Sequence, residues 1–240
     1  MKLLDIQIFP LGKDGWKSDL LQFGNHITQL YGPNGCGKTP IVQSIAYCLG
    51  FPCQFRNDIY NRCNYVVLNL LSDKGSLRIK RTFSKDADIE VTLPSGDTER
   101  YYDEKEYSTF LFGFLDIPIA KLVGNNNKVT SPYLATVLPL FYLDQDEGYS
   151  DFYSPPSNFI KDQFSEMMRV VFRLPIRNSF DAKKEKLTAK EVLEYLDRQV
   201  EDSSRQLKIG IKNTELITKS SRQLSDEIQA GNSVSLHIRR

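Results

Sequence analysis

The chain has 240 residues, 25% of them charged and 40% hydrophobic, with 31 basic residues against 30 acidic ones and a formal net charge of +1. This length can bury a full core, as one large domain or two modest ones. The composition is that of an ordered, water-soluble protein, and no stretch approaches the length of a membrane span. So even a charge balance excludes a global basic field, so any nucleic-acid contact must come from a local patch.

The N-terminus MKLLDIQIFP is short, carries Asp5 and lacks a small-residue cleavage site, so it reads as a first strand and not a secretory leader. Residues 3–9 alternate apolar and polar and end at Pro10 and the turn Gly12-Lys13-Asp14-Gly15. A second strand is predicted over 18–23, closed by Gly24-Asn25, and a third over 27–31. That third strand feeds Gly32-Pro33-Asn34-Gly35-Cys36-Gly37-Lys38-Thr39, which satisfies G-x-x-x-x-G-K-[ST], and a helix over 41–49 leaves it. Each residue type has a physical task in this motif. Glycines let backbone N–H groups turn onto an anion, and the helix N-terminus adds partial positive charge. Lys38 reaches the β- and γ-phosphates, and Thr39 offers its hydroxyl to Mg²⁺. ATP and Mg²⁺ are therefore the expected ligands.

Gly50 and Pro52 stop the helix, and residues 51–63 form a polar connection carrying Arg56 and Arg62. Arg56 is a candidate phosphate or DNA contact, with a solvated loop arginine as the equal alternative. A hairpin follows: strands over 65–70 and 77–83 joined at Ser72-Asp73-Lys74-Gly75, with a further strand over 89–93. Arg78, Lys80 and Arg81 make a small basic cluster there. Arg78 and Lys80 share a strand face that could touch backbone phosphates or simply face water.

A helix is predicted over 105–115, a flexible loop over 124–128, and a buried apolar strand over 134–143, despite Pro139. Ser157 or Asn158 caps a helix expected to run to about residue 173. Beyond residue 180 the composition changes: Tyr195 is the only aromatic there, in a chain with 14 Phe and 12 Tyr. Thr188-Ala189-Lys190-Glu191 matches a capping box. With Leu193 at heptad position a, Leu193, Val200, Leu207 and Ile228 occupy a, and Leu196, Ile217 and Leu224 occupy d. Thr214, Ser221, Ser203 and Gly210 weaken the middle. A coiled-coil arm is favoured over a helix folded back on the head. Gly231-Asn232 and the residues after it suggest an arm cut short.

Cys36, Cys48, Cys53 and Cys63 form no C-x-x-C pair, and His26 and His237 are the only histidines, which disfavours zinc. Free thiols fit a reducing cytoplasm. Cys36, inside the phosphate loop, is a candidate oxidation-sensitive thiol, although a small residue tolerated at a variable position is the plainer reading.

A second candidate site is Tyr142-Leu143-Asp144-Gln145-Asp146-Glu147-Gly148. It reads as a Q-loop, whose glutamine oxygen helps hold Mg²⁺ and the attacking water. The rival is a Walker B box in which Asp144, Asp146 or Glu147 holds the metal, and the plainest alternative is an acidic surface turn.

The order of these motifs resembles the N-terminal half-head of an SMC-like ABC ATPase, the class that includes cohesin, condensin and the double-strand-break repair ATPases. The GPNGCGKT loop, the helix over 41–49, the Arg56 connection, the 65–83 hairpin, the Gln145 turn and the arm opening near 188 carry the likeness. The run from Leu140 to Gly148 also resembles defence-associated bacterial members such as the Lamassu ATPase. The resemblance implies an α/β fold: a P-loop ABC-type lobe with an added antiparallel β part over 1–180, followed by a coiled-coil helix over 181–240. It assigns Gly32, Asn34, Gly35, Cys36, Gly37, Lys38, Thr39, Pro40 and Arg56 to nucleotide, Thr39 and Gln145 to metal, and Lys38 and Gln145 to catalysis.

The implied function is ATP hydrolysis coupled to DNA binding in repair, chromosome organisation or antiviral defence, in the bacterial cytoplasm or nucleoid, or in a nucleus. The implied partners are DNA, a C-terminal lobe from this or a separate chain, a second head in a homodimer, and a nuclease or accessory subunit, with no membrane. Two departures stand out. The signature motif, Walker B acid and catalytic glutamate of the C-terminal half are missing, so turnover by this chain alone should be slight. Pro40 stands where the family usually offers an N–H to the α-phosphate, which proline lacks. Pro40→Ser should therefore tighten ATP binding. Two rival functions remain open: a self-contained P-loop phosphoryl-transfer enzyme using the 144–147 carboxylates, and an assembly module that binds ATP without hydrolysing it.

Overall fold

The computed structural model describes residues 1–143, 145 and 151–237, the stretch 230–237 by its backbone alone. It divides into two compact units, Met1–Asp181 and Ala182–Arg240.

The first unit is built on one antiparallel sheet of six strands, in the order β2-β1-β3-β4-β5-β6. These are β1 (Lys2–Pro10), β2 (Leu21–Gln22), β3 (Cys63–Ser72), β4 (Gly75–Thr82), β5 (Ile89–Thr92) and β6 (Thr98–Tyr101). Period-two alternation in these strands sends one set of side chains inward. Leu68 stands opposite both Ile6 and Ile79, and Ile79 opposite Val91. Against this row lie two helices, α1 (Lys38–Cys48) and α3 (Glu104–Phe114), through Tyr47, Cys48, Tyr107 and Leu111. Asp103 caps α3, accepting from the N–H groups of Lys105 and Glu106. Burial pushes the Cys48 thiol up to about 12 and the Tyr107 phenol well above its usual range, so neither ionises in the core.

Arg81 corrects the expected basic cluster. It shares the inward register with Val66 and Ile89 and is only 3% exposed. Its guanidinium donates to the Tyr47 carbonyl at 2.7 Å, lies 3.8 Å over the Tyr47 ring and pairs with Glu104 at 2.8 Å. The cation thus meets the negative end of the α1 dipole. Lys80, on the other face, pairs with Glu90 at 3.4 Å.

Several predicted elements differ from the structure. No regular strand forms over 27–31, and the second strand shrinks to β2. The connection after α1 contains a short helix, α2 (Asn57–Arg62). Strand β6 extends the sheet beyond the expected hairpin. The 124–128 loop joins a small hairpin of β7 (Leu122–Val123) and β8 (Val129–Thr130), with its Lys128 carbonyl accepting from Gly124. The apolar run predicted as a strand is α4 (Leu134–Val137) followed by a 3₁₀ turn, Leu138–Leu140. Short apolar runs carry no decisive period, and Pro139 has no N–H to give a ladder. Helix α5 (Gln163–Val171) begins later than expected, after Asp162 at φ 51°.

The last helix, α6 (Phe180–His237), is a single helix of 58 residues, about 87 Å long. It starts eight residues before the expected capping box. Thr188 lies inside it, donating its hydroxyl to the Lys184 carbonyl, so that pattern is not a helix start. Leu193, Leu196, Val200, Leu207, Ile217, Leu224 and Ile228 are all exposed along it. Such an apolar row fits a coiled coil. Among the described residues, no helix is long and apolar enough to cross a membrane.

Candidate functional site: the phosphate loop

The loop from Gly32 to Thr39 ends in α1, whose N-cap is Gly37 at φ 92° and ψ 15°. Left-handed backbone is the region glycine tolerates best. A second reason disfavours a side chain: a Cβ on Gly37 would lie 3.2 Å from Trp16 Cζ2, a tight contact. Trp16 is the only tryptophan of the chain, and its backbone N–H donates to the Arg62 carbonyl at 2.9 Å. The indole therefore backs the loop. Its single occurrence was visible in the sequence, but nothing in its spacing tied it to the motif.

Helix α1 is eleven residues long, with no acidic side chain in its first turn. Its leading N–H groups have no acceptor within the helix and carry the positive end of the dipole. Pro40 sits in that turn, its missing N–H costing the helix nothing, while its carbonyl accepts from the Ser44 hydroxyl at 2.7 Å. The first intrahelical bond runs from Ile41 N–H to the Gly37 carbonyl. At the other end, Gly50 at φ 92° reverses the chain, and a Cβ there would strike Leu134 Cδ1 at 2.9 Å.

Lys38 Nζ donates to the carbonyls of Gly32 and Pro33, both at 2.7 Å, and lies 3.9 Å from Cys36 Sγ. The ammonium is thus folded across the loop it belongs to. Thr39 Oγ1 donates to Gln145 Oε1 at 3.1 Å across 106 residues of sequence. Two neutral oxygens side by side at a helix N-terminus form a donor set suited to a hard divalent cation. A cationic loop with free N–H groups and this oxygen pair fits a Mg²⁺–triphosphate.

The approach to Gln145 is pinned at the far end of α1. The Tyr142 ring lies 5.4 Å from that of Phe51, which directly follows Gly50. Tyr142 therefore touches Phe51, three residues beyond the end of α1, and Gln145 touches Thr39 in its first turn. Arg56 occupies the N-cap position of α2 without a side-chain capping bond, and its guanidinium pairs with Asp58 at 3.3 Å. Asp144, Asp146 and Glu147, the rival metal ligands, lie outside the described residues. Residues 27–31, which lead into the loop, expose Ile27 by 88% and Tyr31 by 92%.

No curated protein matches the chain. The family model of the AAA domain (AAA_23) matches residues 9–232, which takes in the sheet except most of β1, the phosphate loop, Gln145 and nearly all of α6. An AAA-type domain of this kind is a P-loop ATPase domain, in accord with the loop and the mixed α/β architecture. The chain belongs to this family of AAA domains.

Proposed function

We propose that this chain is the ATP-binding half of an SMC-like ATPase head that engages DNA, with hydrolysis at a composite site. One observation carries the reading: Thr39 Oγ1 and Gln145 Oε1 meet at 3.1 Å, although the chain separates them by 106 residues. A threonine in the first turn of a helix needs no glutamine from so far away, whereas a Mg²⁺ site shared between phosphate loop and Q-loop does.

In this reading Gly35, Cys36 and Gly37 cradle phosphate through their N–H groups, with Gly32 and Asn34 shaping the loop. Lys38 leaves the carbonyls of Gly32 and Pro33 for the β- and γ-phosphate oxygens. Thr39 and Gln145 give their oxygens to Mg²⁺, and Gln145 reports the γ-phosphate. Bound Mg²⁺–ATP would supply the phosphoryl group whose transfer to water drives the head. The exposed run 27–31 supports a complementing C-terminal lobe, because Ile27 and Tyr31 stand bare just ahead of the phosphate loop, an apolar surface that added strands could cover. The apolar row of α6 supports an arm that pairs with a returning helix, as the SMC-like architecture requires. DNA would lie on engaged heads or between arms, and a cytoplasmic or nucleoid setting follows from that role.

Lys38→Ala tests the reading at its base. The side chain is partly exposed and makes no core contact, so the fold should persist. The variant should lose roughly 10- to 100-fold in affinity for a fluorescent ATP analogue, the worth of a charge-assisted hydrogen bond. Unchanged affinity would remove the loop from the function.

A further inference from the structure

Helices α3 and α5 end in the same way, on either side of one cleft. In α3 the N–H groups of Asp116 and Ile117 donate back to the carbonyls of Gly113 and Phe112, at 3.4 and 2.8 Å. In α5 those of Arg173 and Leu174 donate to the carbonyls of Val170 and Arg169, at 3.3 and 2.8 Å. Both are Schellman terminations, which put the residue after the cap in left-handed backbone, and that residue is usually glycine. Here the two residues are Asp116 at φ 57° and Arg173 at φ 54°. Left-handed backbone is costly for a side chain as bulky as that of arginine. The two side chains meet: Arg173 Nη2 donates to Asp116 Oδ2 at 2.7 Å and to the Asp116 carbonyl at 3.0 Å. They are 65% and 73% exposed, and so open an ion pair stabilises little. Glycine at both positions would end the helices with less strain. Strained backbone that keeps its side chains marks a surface with a use for them.

The cleft between these helix ends measures about 670 Å³. Ile117 and Pro118 line it from the α3 side, and Val170, Leu174 and Ile176 from the α5 side. Ile119 and Phe172, next in sequence to those terminations, are exposed as well. Arg169 also lines the cleft; its Nη1 donates to the Pro175 carbonyl at 2.8 Å, while its Nε is buried without an acceptor. It pairs with no carboxylate among the described residues. Lys74 brings a third cation to the edge by donating to the Gly113 carbonyl. Asp116 is the one acid in the lining. Apolar walls with an excess of guanidinium match a ligand that brings apolar groups and a carboxylate. The cleft is open to solvent, which suits a length of chain better than an enclosed small molecule.

We propose that this cleft docks a segment of a partner protein that carries an acidic side chain among large apolar ones. The partner's carboxylate takes Arg173 from Asp116 and lies beside Arg169, and its apolar side chains cover Ile117, Leu174 and Ile176. Asp116 holds Arg173 in place in the unbound chain. This docking depends on neither nucleotide nor the reading of Thr39 and Gln145 as metal ligands.

The test begins by panning a displayed library of random peptides on the full chain, with Arg173→Gly as the counter-bait. It should enrich peptides with Asp or Glu between large apolar residues. The strongest of them, labelled with fluorescein, is then titrated by anisotropy against the wild type, Arg173→Gly, Asp116→Gly and Leu174→Glu. Glycine suits the left-handed backbone at 116 and 173, so both glycine variants should unfold close to the wild-type midpoint. Arg173→Gly should weaken the peptide about tenfold, the worth of a hydrogen bond to a charged group. Leu174→Glu, which sets a like charge in the apolar wall, should weaken it as well. Asp116→Gly should tighten it, because the competing acid is gone. A clasp that is only structural would move both glycine variants in the same direction. Such a parallel shift, or a library that yields no acidic-apolar peptide, overturns the proposal. So does a fluorescein-labelled DNA duplex that loses affinity in Arg173→Gly while no peptide does, a result that gives the cleft to nucleic acid.

Discussion

Within the Met1–Asp181 unit, Ile6, Leu68 and Ile79 stand opposite one another across the β1–β3–β4 ladder and are at most 1% exposed, whereas Ile27 and Tyr31, ahead of the phosphate loop, are 88% and 92% exposed. Both stretches are apolar and β-prone. They differ in what the chain provides for them. The ladder has neighbours on both sides and two helices over its inner face. The 27–31 run joins no ladder among the described residues. Segments of similar propensity thus end up as strand or as exposed irregular chain according to available partners. The phosphate loop directly follows the bare run, so the proposal of a complementing lobe falls on this side of the molecule.

Stability measurements should separate the two sides most widely. Leu68→Ala should cost about 2–5 kcal/mol in denaturant unfolding, because it removes a fully buried side chain and leaves a cavity. Ile27→Ser with Tyr31→Ser should change the isolated chain by less than about 0.5 kcal/mol, as surface substitutions do. If the double variant cost as much as the core one, the bare side would be closed by contacts of this chain.

A smaller effect sharpens the loop itself. Pro40→Ser restores one N–H in the first turn of α1, and a single neutral hydrogen bond is worth about 1 kcal/mol. ATP affinity, followed through the fluorescence of Trp16, should rise about fivefold. No gain would show that the missing N–H is not what limits binding. The smallest effect belongs to the finished side. The Arg100 guanidinium, 2.8 Å from Asp88, holds that carboxyl below its usual range. A carboxylate whose folded value is depressed adds stability above its unfolded value and loses it as pH falls through the folded one. The unfolding midpoint should therefore decline below about pH 4, less steeply in Asp88→Asn, while Mg²⁺-free nucleotide binding stays independent of that pair.

The sequence revealed those parts whose chemistry is local. The phosphate loop was legible because glycine, lysine and threonine at fixed spacing encode their own geometry, and the hairpin at Ser72–Gly75 because turn residues interrupt two β-rich runs. Residues 134–143 were misread because a ten-residue apolar run suits helix and strand alike until packing chooses, and here Thr136, accepting from Tyr133 N–H at 3.1 Å, starts a helix. Arg81 counts in the sequence as one of three clustered basic residues, and alternation alone places only Arg78 and Lys80 on a common face. Only tertiary contacts reveal the Tyr47 carbonyl and ring that receive it. The contact of Thr39 with Gln145 joins residues far apart in the chain, so spacing could propose each of them but not their meeting.

The central claim is that this chain binds ATP and depends on groups outside it to hydrolyse the nucleotide. The most direct test is to measure ATP binding and phosphate release together on the purified chain, with Lys38→Ala as the blank. The account predicts binding lost in the Lys38 variant, with phosphate release by the wild type barely above that of the variant. Brisk release by the wild-type chain alone, abolished by Lys38→Ala, would contradict it and show a self-contained enzyme.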